Sequence, residues 1–268
     1  MAHQHTDSAA DGTTIAWSTT GSGDPVVLVH GITESAASWD PVVERLSPTH
    51  EVITLDLRGH GESGGADTYA LDAMAGDVLA VVAAAGATGA HLVGHSLGGI
   101  VVTAAGAAAG SVGIDLSSVV DVDQSLQLGS FKEQIVAVEA MLRDPEQYRA
   151  VVDAMFEMMS GEMLSADEVA RVNALRRAEH EVVLGVWELL LTEPSEQIAA
   201  TVDGALAGYR AHPLPYLAVF GIDPGEGYED WLSQRIPGAA VESWADHGHY
   251  PHLVDPDRFV ARLRSFWP

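Results

Sequence analysis

His91-Leu92-Val93-Gly94-His95-Ser96-Leu97-Gly98-Gly99 reads as a buried strand, a sharp turn with one serine at its apex, and the first turn of a helix. A serine at such an apex takes strained backbone angles. The residues around it must be nearly free of side chain for strand and helix to close on each other, and Gly94 and Gly98 meet that need. The context carries more than the Gly-x-Ser-x-Gly pattern, since Gly110-Ser111-Val112-Gly113 shows how readily glycines flank a serine elsewhere. At Ser96 an apolar strand leads in, and an alanine-rich helical run over 98–109 leads out. The turn presents Ser96 as a nucleophile.

Outward from the elbow, strands and helices alternate. Pro25-Val26-Val27-Leu28-Val29-His30 is a continuous β-branched run, the mark of a strand covered on both faces, and Glu51-Val52-Ile53-Thr54-Leu55-Asp56 repeats it. Thr13-Thr14-Ile15-Ala16-Trp17-Ser18 alternates like an edge strand before the Gly21-Ser22-Gly23-Asp24 turn. Helices are expected over 39–46 and 71–85, and a further strand over 116–123. From about 124 to 212 the periodicity is helical throughout, with helices expected over 131–142, 145–159, 165–191 and 195–209. Ser165-Ala166-Asp167-Glu168 is a capping box at one of these starts. Strands return over 216–220 and 240–244, with a helix through Trp231 between them and a closing helix over 256–266. The expected fold class is α/β: a mostly parallel twisted sheet with helices on both faces, built from 1–123 and 213–268, with an all-helical cap inserted over 124–212.

A chain of 268 residues with 47% hydrophobic content fits one α/β domain with an insertion. No apolar run reaches the roughly 18 residues of a membrane span, and Met1-Ala2-His3-Gln4-His5-Thr6-Asp7-Ser8 lacks the basic start and apolar stretch of a secretory signal. There is no cysteine for a disulfide or a thiol nucleophile, which fits the cytoplasm. Asp and Glu number 38 against 13 Lys and Arg, for a formal charge of −25, and Lys132 is the one lysine. Such a field repels phosphate backbones and anionic membranes. The expected partner is a small-molecule substrate, with neither nucleic acid nor membrane, and strongly anionic substrates are disfavoured.

A serine hydroxyl is a poor nucleophile until a histidine takes its proton, and that histidine needs a carboxylate to fix its tautomer. The developing oxyanion needs backbone N–H donors, each worth about 2.7–4 kcal/mol. The sequence offers all of these parts in a workable order, and four stretches stand out: His30-Gly31, Asp56-Leu57-Arg58-Gly59-His60-Gly61-Glu62-Ser63, Gly94-His95-Ser96-Leu97-Gly98-Gly99, and Gly248-His249-Tyr250-Pro251-His252-Leu253. On these residues the chain resembles α/β-hydrolases of the single-serine esterase and lactonase type, over most of its length outside the cap. The resemblance implies Ser96 as nucleophile, His249 as general base, the N–H groups of Ile32 and Leu97 as oxyanion hole, and no cofactor. Serine at the apex sets the chain apart from related dehalogenases and epoxide hydrolases, which carry aspartate there. Taken alone, His247, His249 and His252 could be a metal cluster, but no cysteine joins them and the resemblance explains the stretch without a metal.

The resemblance leaves two carboxylates for the triad acid. Most relatives carry it after the strand over 216–220, which points to Asp223, yet Gly221-Ile222-Asp223-Pro224-Gly225 brings that aspartate one position early. A similar Asp-Pro-Gly loop occurs in relatives whose acid ends the preceding strand, which points to Asp123, the favoured choice. Met155, Met159 and Trp187 of the cap are expected to line the substrate pocket, with His95, beside the nucleophile, either lining it or packing behind. A mostly apolar pocket over a serine suggests a neutral, fairly hydrophobic ester, thioester or lactone, cleaved through an acyl-enzyme. The same triad also serves carbon–carbon bond hydrolysis, acyl transfer, perhydrolysis or cyanohydrin cleavage, and a low-turnover ligand receptor could share the scaffold.

Overall fold

The computed structural model describes residues 5–160, 163–177 and 179–267. Its strands are β1 (His5–Ser8), β2 (Thr14–Gly21), β3 (Asp24–Val29), β4 (His50–Leu55), β5 (Ala90–His95), β6 (Leu116–Val122), β7 (Tyr216–Phe220) and β8 (Ala240–Ser243). They form one sheet in the order β1-β2-β4-β3-β5-β6-β7-β8. β1 and β2 run antiparallel to their neighbours, and the strands from β4 to β8 are parallel. All the parallel strands therefore deliver their following loops to one edge of the sheet, where ligands bind in this class of architecture.

The apolar runs work as their alternation dictates. Val27, Val29, Leu92 and Val119 bury one face of the sheet under α2 (Leu71–Ala84) and α3 (Leu97–Ala109). Val26, Leu28, Val93 and Val120 bury the other face with Trp39, and with Val42 and Leu46 of α1 (Asp40–Leu46). Each such side chain withdrawn from water contributes about 1.5–3 kcal/mol. Between β6 and β7 stand α4 (Gly129–Ala137), α5 (Glu139–Leu142), α6 (Tyr148–Ser160), α7 (Ala166–Leu175), α8 (His180–Thr192), α9 (Ser195–Leu206) and α10 (Gly208–Ala211). After β7 come α11 (Tyr228–Ser233), α12 (Pro251–Val254) and α13 (Pro256–Phe266), the last packing Phe259, Val260 and Leu263 onto the α1 face.

The structure departs from the sequence expectation at the sheet edge and among the helices between β6 and β7. β1 was not expected, and it, not β2, forms the outer edge; a polar four-residue edge strand has no burial pattern to betray it. The helix expected over 165–191 is two helices. α7 begins as foreseen, with Ser165 Oγ accepting from the Glu168 N–H at 3.2 Å, but it ends at Leu175, and the Arg177 N–H then donates outside the helix, to the Thr33 carbonyl at 2.7 Å. Packing divides the helices between β6 and β7 into two groups. Ile135, Leu142, Val152, Phe156, Val183, Trp187, Leu190 and Ile198 share an apolar cluster with Ile32. Val202 and Leu206 of α9 and Tyr209 of α10 instead enter the main core against α3, where the Tyr209 hydroxyl donates to the Thr103 carbonyl at 3.0 Å. Lys132 ties the block together by donating to the carbonyls of Leu190 and Glu193 at 2.8 and 2.7 Å, at the end of α8.

Candidate active site

Ser96 follows the last residue of β5 and precedes α3, at φ 52° and ψ −122°. The angles are strained for a serine, and the surroundings fix them. Its N–H donates to the Val122 carbonyl at 2.9 Å, and its own carbonyl accepts from the Gly99 N–H at 2.7 Å. A methyl group on Gly94 would overlap the Gly98 carbonyl, and one on Gly98 would overlap the Val29 carbonyl. The strand, turn and helix close only with glycine at both places.

His95 pairs with Val122 across β5 and β6, so Ser96 and Asp123 are the next residues off two adjacent strands. Asp123 also has a positive φ, 56°, and its N–H donates to the Val219 carbonyl at 2.8 Å. Both carboxylate oxygens are engaged. Oδ1 accepts from the N–H groups of Gly221 and Ile222 at 2.7 and 2.9 Å, and Oδ2 accepts from His249 Nδ1 at 2.7 Å. With Nδ1 donating, the His249 tautomer is set and Nε2 is left as the basic nitrogen; that atom is buried without a hydrogen-bond partner among the described residues. Asp223 is not brought to His249: it is exposed, and its Oδ1 accepts from the Gly225 N–H at 2.9 Å in a local turn. Asp121 lies fully buried, accepting from the Tyr216 hydroxyl at 3.3 Å, and burial next to the Asp123 carboxylate pushes it well above the usual carboxylate range.

Ser96, Asp123 and His249 line one cavity of about 530 Å³, within the ~300–1,000 Å³ range of small-molecule pockets. Ile32 and Leu97 line it as well. Leu97 opens α3, so its N–H has no carbonyl one turn back to bond. Of the expected pocket residues, Met155, Met159 and Trp187 are in the wall, joined by Phe131, Phe156, Leu189 and Leu190 from the helical block and by Tyr69, Leu71 and Met74 from the sheet side. His95 is not among them. It is 1% exposed, behind the nucleophile, because its Nε2–H donates to the His249 carbonyl at 2.8 Å and turns the ring into the protein. Tyr69 escaped sequence reading, since a lone tyrosine in a loop carries no local signal for a pocket built around Ser96, 27 residues further on.

His30, His60, His247 and His252 are absorbed by packing. His30 donates from Nδ1 to the Gly31 carbonyl at 2.7 Å and accepts from the Leu57 N–H at 3.0 Å, and His60 Nδ1 bonds the Arg58 carbonyl at 2.9 Å. Burial drives the His30 and His252 pKa values down and that of His60 to about 4. His252 is wedged between Trp39 and His95, whereas His247 packs edge-on to Trp244. The three histidines of the 247–252 stretch thus face three different surroundings.

Residues 26–262 match the family model described as "Alpha/beta hydrolase family". Esterase YbfF of Escherichia coli (strain K12) is 26% identical over 249 residues, covering 90% of this chain and 92% of that protein. A shorter match, 39% identical over 93 residues, is to pimeloyl-[acyl-carrier protein] methyl ester esterase of Aliivibrio salmonicida; it covers 35% of this chain and spans about a third, 34%, of that relative. Among solved structures, esterase RhEst1 from Rhodococcus sp. ECU1013 superposes with a TM-score of 0.72 at 28% identity, over 98% of this chain and 97% of that one.

Proposed function

The chain belongs to the alpha/beta hydrolase family, and on that premise we propose that it is a serine hydrolase of neutral, fairly hydrophobic carboxylic esters, thioesters or lactones. Ser96 attacks the carbonyl carbon while His249 Nε2 takes its proton, and Asp123 holds the imidazole in the tautomer this requires. The N–H groups of Ile32 and Leu97 receive the oxyanion. The imidazolium returns its proton to the leaving alcohol, thiol or ring oxygen. Water, activated by the same nitrogen, then releases the acid from the acyl-enzyme. The helical block from α4 to α8 serves as the cap that shapes the acyl site.

One observation carries the proposal: the fully bonded Asp123 carboxylate orients His249 on the same cavity wall that holds the strained Ser96. The esterases among the relatives support the bond type. The cavity also bears on charge. Its described lining contains Asp223, Glu188 and Glu193 and no lysine or arginine, so a carboxylate on the substrate would enter without a partner. The test compares wild type with Ser96→Ala on butyrate and hexanoate esters, a γ-lactone, and a dicarboxylic monoester of equal length. Wild type is expected to turn over the neutral substrates, with kcat/KM at least about tenfold above the anionic one, a difference of about 1.4 kcal/mol. Equal rates in wild type and Ser96→Ala would overturn the mechanism; preference for the anion would overturn the substrate class.

A further inference from the structure

Behind Ser96 lies a buried carboxylate that the mechanism does not use. Glu34 is 1% exposed, in the loop that follows β3. Thr33, at φ 65°, folds the chain back so that the Glu34 N–H donates to the Gly31 carbonyl at 3.2 Å, while the side chain returns to accept from the Gly31 N–H at 3.3 Å. The same oxygen, Oε2, lies 3.5 Å from Nδ1 of His95. Gly31 is the point of convergence: a methyl group there would sit 3.2 Å from both His95 Nδ1 and Ser96 Cβ, and 3.4 Å from Glu34 Cδ.

The hydrogen bonds place the first ring proton of His95. His95 Nε2 faces the His249 carbonyl, which can only accept, so Nε2 carries a proton. Nδ1 has no hydrogen-bond partner among the described residues and faces the carboxylate. A bare nitrogen lone pair there would oppose a second acceptor at a buried position, whereas an N–H would satisfy both groups. Around the pair stand His30, His252, Tyr250 and Arg176, the last donating to the Tyr250 hydroxyl at 3.0 Å. Burial alone would raise the Glu34 carboxyl, yet the facing His95 holds it below the usual carboxylate range.

We propose that Glu34 and His95 are a positioning pair, carboxylate and imidazolium, that locks the oxyanion loop, the nucleophile strand and the base loop together. This rests on the reading of Ser96 as nucleophile. The pair touches each moving part of the reaction at one remove. Glu34 holds the N–H of Gly31, one residue before the Ile32 donor; His95 adjoins Ser96; and the His95 ring holds the carbonyl of His249 itself. Charge neutrality within the pair also matters, because an unpaired carboxylate beside Gly31 would oppose the oxyanion. The helical block reinforces the lock, since the Arg177 N–H donates to the Thr33 carbonyl and the His249 N–H to the Met159 carbonyl, at 2.7 and 3.4 Å.

The experiment has two arms. In ¹⁵N-labelled wild type at neutral pH, with His95→Gln for assignment, the His95 ring is expected to carry protons on both nitrogens. In Glu34→Gln, which keeps the shape and removes the charge, kcat is expected to fall by about 10²-fold, the scale of a misplaced reacting group, with KM within about twofold and slower fluorophosphonate labelling of Ser96. Should Glu34→Gln not fold, Glu34→Asp, which withdraws the charge from both partners, carries the kinetic arm with the same expectation. A bare ring nitrogen on wild-type His95, or an unchanged kcat, overturns the pair. If wild-type Ser96 takes no adduct, the nucleophile reading fails instead, and the ring spectrum of the same sample separates the two failures.

Discussion

Asp123 sits at φ 56° with both oxygens engaged, so its carboxylate is oriented before any substrate arrives. Asp223, three residues beyond the end of β7 and in the same cavity wall, spends its side chain on a local turn. The two can be separated by substitution. Asp123→Asn is expected to lower kcat by about 10⁴-fold, since the amide favours the wrong tautomer of His249. Asp223→Asn keeps the turn acceptor and is expected to stay within a few-fold of wild type, because no bond to His249 is lost. Initial-rate kinetics on one neutral ester decide it, and the reverse pattern would move the acid to Asp223. Sequence reading brought Asp123 forward from the shape of a loop 100 residues away. It gave no hint of the Glu34–His95 contact, because 61 residues separate the partners and neither stands at a spacing that marks a pair.

At the scale of elements, the cavity is shaped by how closely α8 approaches the sheet side. Gly185 lets the α8 backbone rest against the Tyr69 ring, and both residues line the cavity. A methyl group at Gly185 would overlap that ring, so Gly185→Ala is expected to displace Tyr69 or α8 and alter the cavity. A panel of esters of rising acyl length should show a shifted length optimum with labelling of Ser96 retained; an unchanged optimum would remove this contact from the specificity wall. Much of the scaffold was legible beforehand. The parallel strands betray themselves because burial on both faces demands unbroken apolar runs such as Val26 to Val29, and the elbow betrays itself because only glycine fits at 94 and 98. The end of α7 at Leu175 was not legible: Arg176 and Arg177 are good helix formers, and it is a distant carbonyl, that of Thr33, that receives the Arg177 N–H. Likewise α9 reads as one more amphipathic helix of the block, and only the packing shows that it bridges to α3.

Across the whole molecule, buried neutral histidines should make the fold sensitive to acid. Burial holds His60 and His91 at about 4, against an ordinary 6.5, and lowers His30 and His252 in the same direction. Between those values the unfolded chain binds more protons than the folded one, so stability is full above about 6.5 and is lost as pH falls towards 4. Glu34, held below its ordinary 4.5, adds to the loss further down. Unfolding temperatures measured from neutral pH to pH 4 should therefore fall most steeply through that window, and a flat profile would mean these rings are charged in the fold. Above all of this stands the reactivity of one hydroxyl, which every other feature of the site serves. Treatment with a fluorophosphonate probe, followed by peptide mass mapping, reads it directly. One adduct is expected on Ser96, with none in Ser96→Ala and strongly slowed labelling in His249→Ala. Wild-type protein that turns over a neutral ester while Ser96 stays unlabelled would contradict the mechanism.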